Sequence, residues 1–322
     1  MPTTMPLRLA LALLLLPALL GGGGCRQPPA PPASSSDAAP QQPASTAPPR
    51  RAEALADDLG RVWQGKRPPR RVISLAPNVT EIVCAIGGRS RLVGIDTASD
   101  YPPQVKSIPR VGDFLRPSVE QIVAARADAI LLSSATITPQ SVAELENTFR
   151  APIFVLNPVR LPDVARNVRS VGRLLGLEAP AEAVAREMER QFAAVARAVA
   201  GRPRRSVFLE MWHEPLQSVG PKTFLDDLIR TAGGRNVAAA QPRPFPTFSL
   251  EALLAADPEV YIVASMAQGA AGDPTRRSGF GALRAVRTGR VCRVPADPVL
   301  RPTPRLAEGI RHLARAIHPE VF

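Results

Sequence analysis

Short apolar runs alternate with longer amphipathic stretches through residues 71–322, and this alternation sets the expected fold. Val72 to Leu75 is β-branched and is followed by Pro77, so it reads as a buried strand that proline stops. Asn78 followed by Glu81 predicts a capping box that opens a helix running to Ile86, which Gly87 and Gly88 end. Leu92 to Ile95, Ala129 to Leu132 and Ile153 to Val155 read as further strands with helical patterns between them. A second set repeats this grammar, with strands at Val207 to Glu210, Val260 to Ala264 and Val291 to Val294. Its helices are expected near Thr223 to Ala232, Ser249 to Ala256 and Pro304 to Ile317. Between the two sets, Val184, Met188, Phe192, Val195 and Val199 fall on one helical stripe, predicting a single helix from Pro180 to Gly201. The expectation is an α/β chain of two similar lobes with largely parallel sheets, joined by one long spine helix.

One line of sequence is written twice. "PSVEQIVAARADAILL", Pro117 to Leu132, overlays "FSLEALLAADPEVYIV", Phe248 to Val263, at a constant offset of 131 residues. Ser118 meets Ser249 at a position suited to an N-cap, and Glu120 meets Glu251 in the first helical turn. A carboxylate there is favoured by the helix dipole by a few tenths to ~1 kcal/mol, which is reason enough for either glutamate alone. Phe114 and Phe245 each stand 6 residues before their glutamate in proline-flanked loops. Large apolar side chains at matching loop positions predict a pair facing each other across a cleft.

The first residues are set apart from the fold. Leu9 to Leu20 is apolar but too short to span a bilayer, and Gly21 to Gly24 lead to Cys25, as in a lipoprotein-type export signal with Gly22 replacing the usual leucine. Residues 26–50 are rich in Pro, Ala and Ser and read as a disordered tether. The organisation expected is a signal over 1–25, the tether over 26–50 and a connecting segment over 51–70 with a short helix from Ala52 to Trp63. An N-terminal lobe over 71–178, the spine over 179–201 and a C-terminal lobe over 202–322 follow. The formal net charge of +12 rests on scattered Arg with only three Lys, so together with export it argues against a nucleic-acid partner. Cys84 and Cys292 fall inside a helix and a strand, where buried thiols are expected.

"RVISLAPNVTEIVCAIG", "VGIDTASDYPP", "VGDFLRPSVEQIVAARADAILL", "VFLEMWHEPL", "AGGRNV", "FSLEALLAADPEVYIV" and "PADPVLRPTPR" together resemble the cobalamin- and iron-chelate-binding proteins of ABC importers. The resemblance covers almost all of Arg71 to Phe322. It implies a class III periplasmic binding protein that holds its ligand between two lobes with little closure, a monomer acting with an ABC permease dimer and its ATPase subunits. It implies that Glu120 and Glu251 dock onto the permease, that Phe114, Phe245 and Trp212 line the pocket, and that Asp297 and Arg301 meet the ligand's polar edges. The N-terminal signal implies export to the periplasm, with lipidation of Cys25 as the membrane anchor. Two pocket aromatics of the cobalamin binders are replaced, by Ala98 and near Ser133.

An aromatic cleft with few polar anchors suits cobalamin, a large corrinoid fringed with amides. A ferric siderophore would call on converging arginines, for which Arg116, Arg160, Arg243 and Arg301 are the candidates. Haem would need an axial ligand such as His213 or Tyr101. No serine nucleophile elbow, zinc-binding helix motif or phosphate loop is present, so a binding protein is expected in preference to an exported metalloenzyme on a related two-lobed fold.

Overall fold

The computed structural model describes residues 54–112, 116–134, 136–264 and 272–322; Cys25, the tether 26–50 and Phe114 lie outside them. The first half runs β1 (Val72–Ser74), α1 (Pro77–Ala85), β2 (Leu92–Ile95), α2 (Val119–Ala124), β3 (Ala129–Ser133), α3 (Pro139–Phe149), β4 (Ile153–Leu156) and α4 (Leu161–Leu175). The spine α5 (Glu178–Ala198) follows. The second half runs β5 (Arg205–Glu210), β6 (Trp212–His213), β7 (Leu216–Gln217), α6 (Phe224–Thr231), β8 (Gly234–Asn236), α7 (Leu250–Ala256) and β9 (Val260–Val263). It ends with α8 (Arg284–Arg287), β10 (Val291–Arg293), α9 (Ala296–Leu300) and α10 (Leu306–Ile317).

The four-stranded sheets have orders β2-β1-β3-β4 and β8-β5-β9-β10, every neighbouring pair being parallel. Counted along the chain, the two orders are the same, so the second lobe repeats the topology of the first. The repeated line is the physical core of that likeness. Each copy carries a helix that ends in a left-handed, non-glycine residue, Arg126 at φ 46° and Asp257 at φ 33°, and these two are 131 residues apart. Each then places an acid against the start of the adjacent central strand. Asp128 Oδ2 accepts from the Arg70 and Arg71 amides at 2.8 and 2.9 Å, and Glu259 Oε2 accepts from the Ser206 amide at 2.8 Å. These acids occupy backbone donors at the sheet's end that would otherwise need water. The copies differ at the cap: Ser249 Oγ accepts from the Ala252 amide at 3.2 Å, while Ser118 stands at the N-cap without a side-chain bond.

Two local expectations are corrected. Residues 54–63 do not form a helix: the Asp57 carboxylate accepts the Leu59 and Arg61 amides at 3.0 and 2.9 Å and turns the chain back through an Ala56–Val62 bridge. That turn lies on the outer edge of β4, with the Asp58 amide donating to Val155 O at 3.0 Å, and so covers an edge that would otherwise be open for pairing. Nor is there a capping box at Asn78. Pro77 sits in the first turn with Ala76 as N-cap, so Asn78 is already inside α1, and its amide donates to Ser133 Oγ at 3.0 Å. Helix entry at Pro77 exploits a position where the missing amide hydrogen costs nothing.

The spine spans 21 residues, about 31 Å. Its stripe of Ala181, Ala185, Met188, Phe192 and Val195 is buried against α4, α6 and α10. Close approach to α4 depends on Gly172, where an added Cβ would stand 2.3 Å from that of Ala181. One continuous apolar cluster runs from Val79 and Ile82 of α1 through Val168, Met188 and Leu228 to Leu313 of α10, and each lobe adds a smaller cluster on its other face. The two lobes therefore share one core along the spine, which opposes large relative motion.

Candidate functional site

In parallel α/β sheets, ligands are met by the loops beyond the carboxyl ends of the strands. Beyond β5 the chain forms the two-stranded ribbon β6–β7, in which Trp212 pairs with Gln217 and His213 with Leu216. The segment from Pro244 to Phe248 runs alongside through an isolated antiparallel bridge between Gln217 and Thr247: the Gly220 amide donates to Pro244 O at 2.7 Å, Ser218 to Pro246 O at 3.1 Å, and Phe248 to Leu216 O at 2.8 Å. This ribbon holds Trp212 and Phe245, which remain 39% and 47% exposed, while Phe248 enters the core. Two partly exposed rings on one hydrogen-bonded ribbon offer apolar surface to a ligand. The Trp212 indole donates to Glu214 O at 2.8 Å, which fixes its plane. His213 stands beside it at 6.3 Å between ring centroids, and its Nδ1 is buried without a hydrogen-bond partner. Before α2, Gly112 at φ 87° allows a tight approach to Arg116 O.

Asp297 and Arg301 are brought together in a different cluster, which crosses from one lobe to the other. Arg301 Nη1 donates to Glu81 Oε1 at 3.0 Å and Asp100 Oδ1 at 2.9 Å, and its Nη2 pairs with Asp297 Oδ1 at 3.1 Å. Arg305 reaches Glu81 Oε1 at 3.5 Å, and its guanidinium lies 4.0 Å from the centre of the Tyr101 ring. Glu81, 3% exposed, comes from α1, and Asp100 and Tyr101 come from the loop after β2. Burial raises the Glu81 carboxyl above its ordinary range, only partly opposed by the two arginines. Slight burial raises Asp100, but the hydrogen bond and charge of Arg301 outweigh it and hold its carboxyl below the ordinary range. A cavity of about 320 Å³ opens beside this cluster, lined by Glu81, Cys84, Tyr101, Pro304 and Arg305. Burial lifts the Cys84 thiol to about 11, and Cys84 and Cys292 are both free rather than joined.

Sequence patterns missed Glu81, Asp100 and Arg305 as members of this cluster. A charge inside the fully buried stretch Asn78 to Val83 was the available signal for Glu81. On the spine side a second link joins the lobes: Arg160 grips Asp227 through Nε at 2.7 Å and Nη2 at 2.8 Å, so this arginine is engaged. Another buried group, Glu210, accepts from Arg277 at 2.8 and 2.9 Å and from the Tyr261 hydroxyl. Arg277 also donates to Gly272 O at 3.1 Å, which ties the chain entering α8 to the end of β5. Glu120 and Glu251 are exposed in the first turns of α2 and α7, and hydrogen bonds from its own amide and from Ser249 lower the Glu251 carboxyl. Among the described residues no group of three or more His, Cys, Asp or Glu is arranged to hold a metal ion, and no helix is long and apolar enough to cross a membrane.

Residues 72–298 match the profile of the family described as periplasmic binding protein. The chain belongs to that family. As a periplasmic binding protein it is 27% identical over 263 residues to the ABC transporter substrate-binding lipoprotein YvrC of Bacillus subtilis, covering 80% of this chain and 82% of that one. It is 26% identical over 243 residues to a vitamin B12-binding protein of Vibrio parahaemolyticus, covering 76% and 87%. Among solved structures, the vitamin B12-binding protein BtuF of Vibrio cholerae superposes at a TM-score of 0.70 with 25% identity over 78% of this chain and 98% of that one. A periplasmic haem-binding protein of Pseudomonas aeruginosa gives a TM-score of 0.68 with 28% identity over 79% and 94%. Two parallel-sheet lobes on one spine helix are thus the architecture of a class III periplasmic binding protein.

Proposed function

We propose that this chain is the extracytoplasmic binding component of an ABC importer and that it captures a corrinoid between its lobes. The observation that carries the ligand class is the hydrogen-bonded ribbon presenting Trp212 and Phe245 to solvent, in a chain similar to vitamin B12-binding proteins of Vibrio. Flat, mostly apolar corrin faces suit such rings, and peripheral amides suit a few carboxylate and guanidinium partners. Phe114 supplies the facing ring from the first lobe, and Asp297 and Arg301 mark the polar edge of the cleft. Cys25 anchors the protein by its lipid, and residues 26–50 tether the two lobes 71–178 and 202–322 clear of the membrane. Glu120 and Glu251 dock onto the two-fold permease, one carboxylate from each lobe, and the ATPase subunits supply the work. The repeated line supports this docking, since a helix cap needs only one carboxylate per helix whereas a symmetric partner needs the same group on both lobes.

The test is uptake of labelled cyanocobalamin by cells deprived of this protein. Wild type restores uptake, and Glu120→Ala combined with Glu251→Ala leaves binding intact but abolishes most of the import. Unchanged uptake with the double variant contradicts the docking roles. Restored uptake of haem or of a ferric siderophore, but not of cyanocobalamin, contradicts the ligand.

A further inference from the structure

We infer that Glu81 and Asp100 act as specificity residues, keeping Arg301 and Arg305 charge-compensated so that the cleft accepts chelates with uncharged, amide-bearing edges and rejects those with carboxylate edges. This rests on the reading of the cleft as the corrinoid site.

Among the four arginines expected to meet an anionic ligand, Arg301 is bound by three carboxylates, Glu81, Asp100 and Asp297, and Arg160 is held bidentately by Asp227. Exposure sorts the interlobe cluster by sign. The guanidinium side chains are recessed, at 13% exposure for Arg301 and 21% for Arg305, whereas Asp100 is 57% and Asp297 34% exposed. A molecule arriving between the lobes therefore meets carboxylate oxygens before it meets guanidinium nitrogens, in a chain whose formal net charge is +12. Carboxylate oxygens accept from primary amides and repel anions, so the local chemistry is the reverse of what the overall charge suggests. Glu81 completes the compensation from beneath: its Oε1 is shared between both arginines, and a side-chain hydrogen bond from Thr303 also reaches its carboxylate. Within this cluster, two guanidiniums facing three carboxylates leave no net positive charge for an acidic ligand.

The test compares cyanocobalamin with its three monocarboxylic acids, each made by hydrolysing one propionamide. These probes share one shape and differ by one charge. For the wild-type protein, at least one acid binds about tenfold more weakly than cyanocobalamin, and added salt narrows the gap. Asp100→Asn and, separately, the isosteric Glu81→Gln reduce the ratio for that same acid to about threefold or less, or reverse it. The ratio is the readout because a merely structural defect weakens neutral and acidic probes alike. Equal wild-type affinity for all four probes overturns the inference, as does a ratio that neither substitution changes. Failure of the wild type to bind cyanocobalamin overturns the corrinoid reading and this inference with it, whereas binding with an unchanged ratio overturns the inference alone.

Discussion

Arg301 shows how far a single residue can be read from its neighbours in sequence. Its place near the C-terminus, beside Asp297, was legible as a polar anchor. Its partner Glu81 stands 220 residues earlier, beyond the reach of any local pattern, and Asp100 lies 201 residues earlier. Because Glu81 is almost fully buried, Arg301→Ala leaves a carboxylate with one distant arginine, and the expected cost in urea unfolding near neutral pH is about 3 kcal/mol. The sign of its pH dependence follows from burial. Glu81 holds its proton more tightly folded than unfolded, so without Arg301 it escapes the penalty by protonation, and the gap from wild type narrows as pH falls. A gap that widens in acid would contradict the pairing. Phe245 was legible as an unusual loop residue because a large apolar side chain in a Pro-rich turn needs a reason, and it is indeed left outside the core.

At the scale of elements, the patterns located most strands and helices of both sheets because parallel strands covered on both faces must be apolar throughout. The strand β8 escaped because Gly234, Arg235 and Asn236 carry no β-branched signature; it exists through its register with Arg205 to Val207. The capping box expected at Asn78 does not form because Pro77 moves the helix start upstream. The two copies of the repeated line make opposite predictions at their caps. Ser249→Ala removes a side-chain bond and is expected to destabilise by about 1 kcal/mol, whereas Ser118→Ala, with no such bond, should be near neutral in thermal unfolding. Equal losses at both positions would show that the capping difference is not real.

For the whole molecule, the shared core and two interlobe links describe a clamp with limited freedom. The spine is also tied to α4 by charge: Arg169 bonds Glu182 at 2.7 Å and Glu189 at 2.6 Å. Hydrogen bonds from Arg169 and Arg186 lower the Glu182 carboxyl to about 2. The folded state therefore binds its proton less readily than the unfolded chain, so this contribution is present above the ordinary pKa of 4.5 and is lost as pH falls from there toward 2. Since Glu182 is only partly buried, the effect should be modest and salt-sensitive, and the melting temperatures of wild type and Glu182→Gln should converge across that range. A constant difference down to pH 2 would assign the stabilisation elsewhere. The duplicated topology was legible in the 131-residue offset, whereas the interlobe charge cluster was not, because it depends on how the lobes meet. The most direct measurement of the central claim is a calorimetric titration of the protein with cyanocobalamin. Saturable one-to-one binding, weakened about tenfold or more by Trp212→Ala or Phe245→Ala, is the expected result. Absence of binding to cyanocobalamin, with saturation by haem or a ferric siderophore instead, would contradict it.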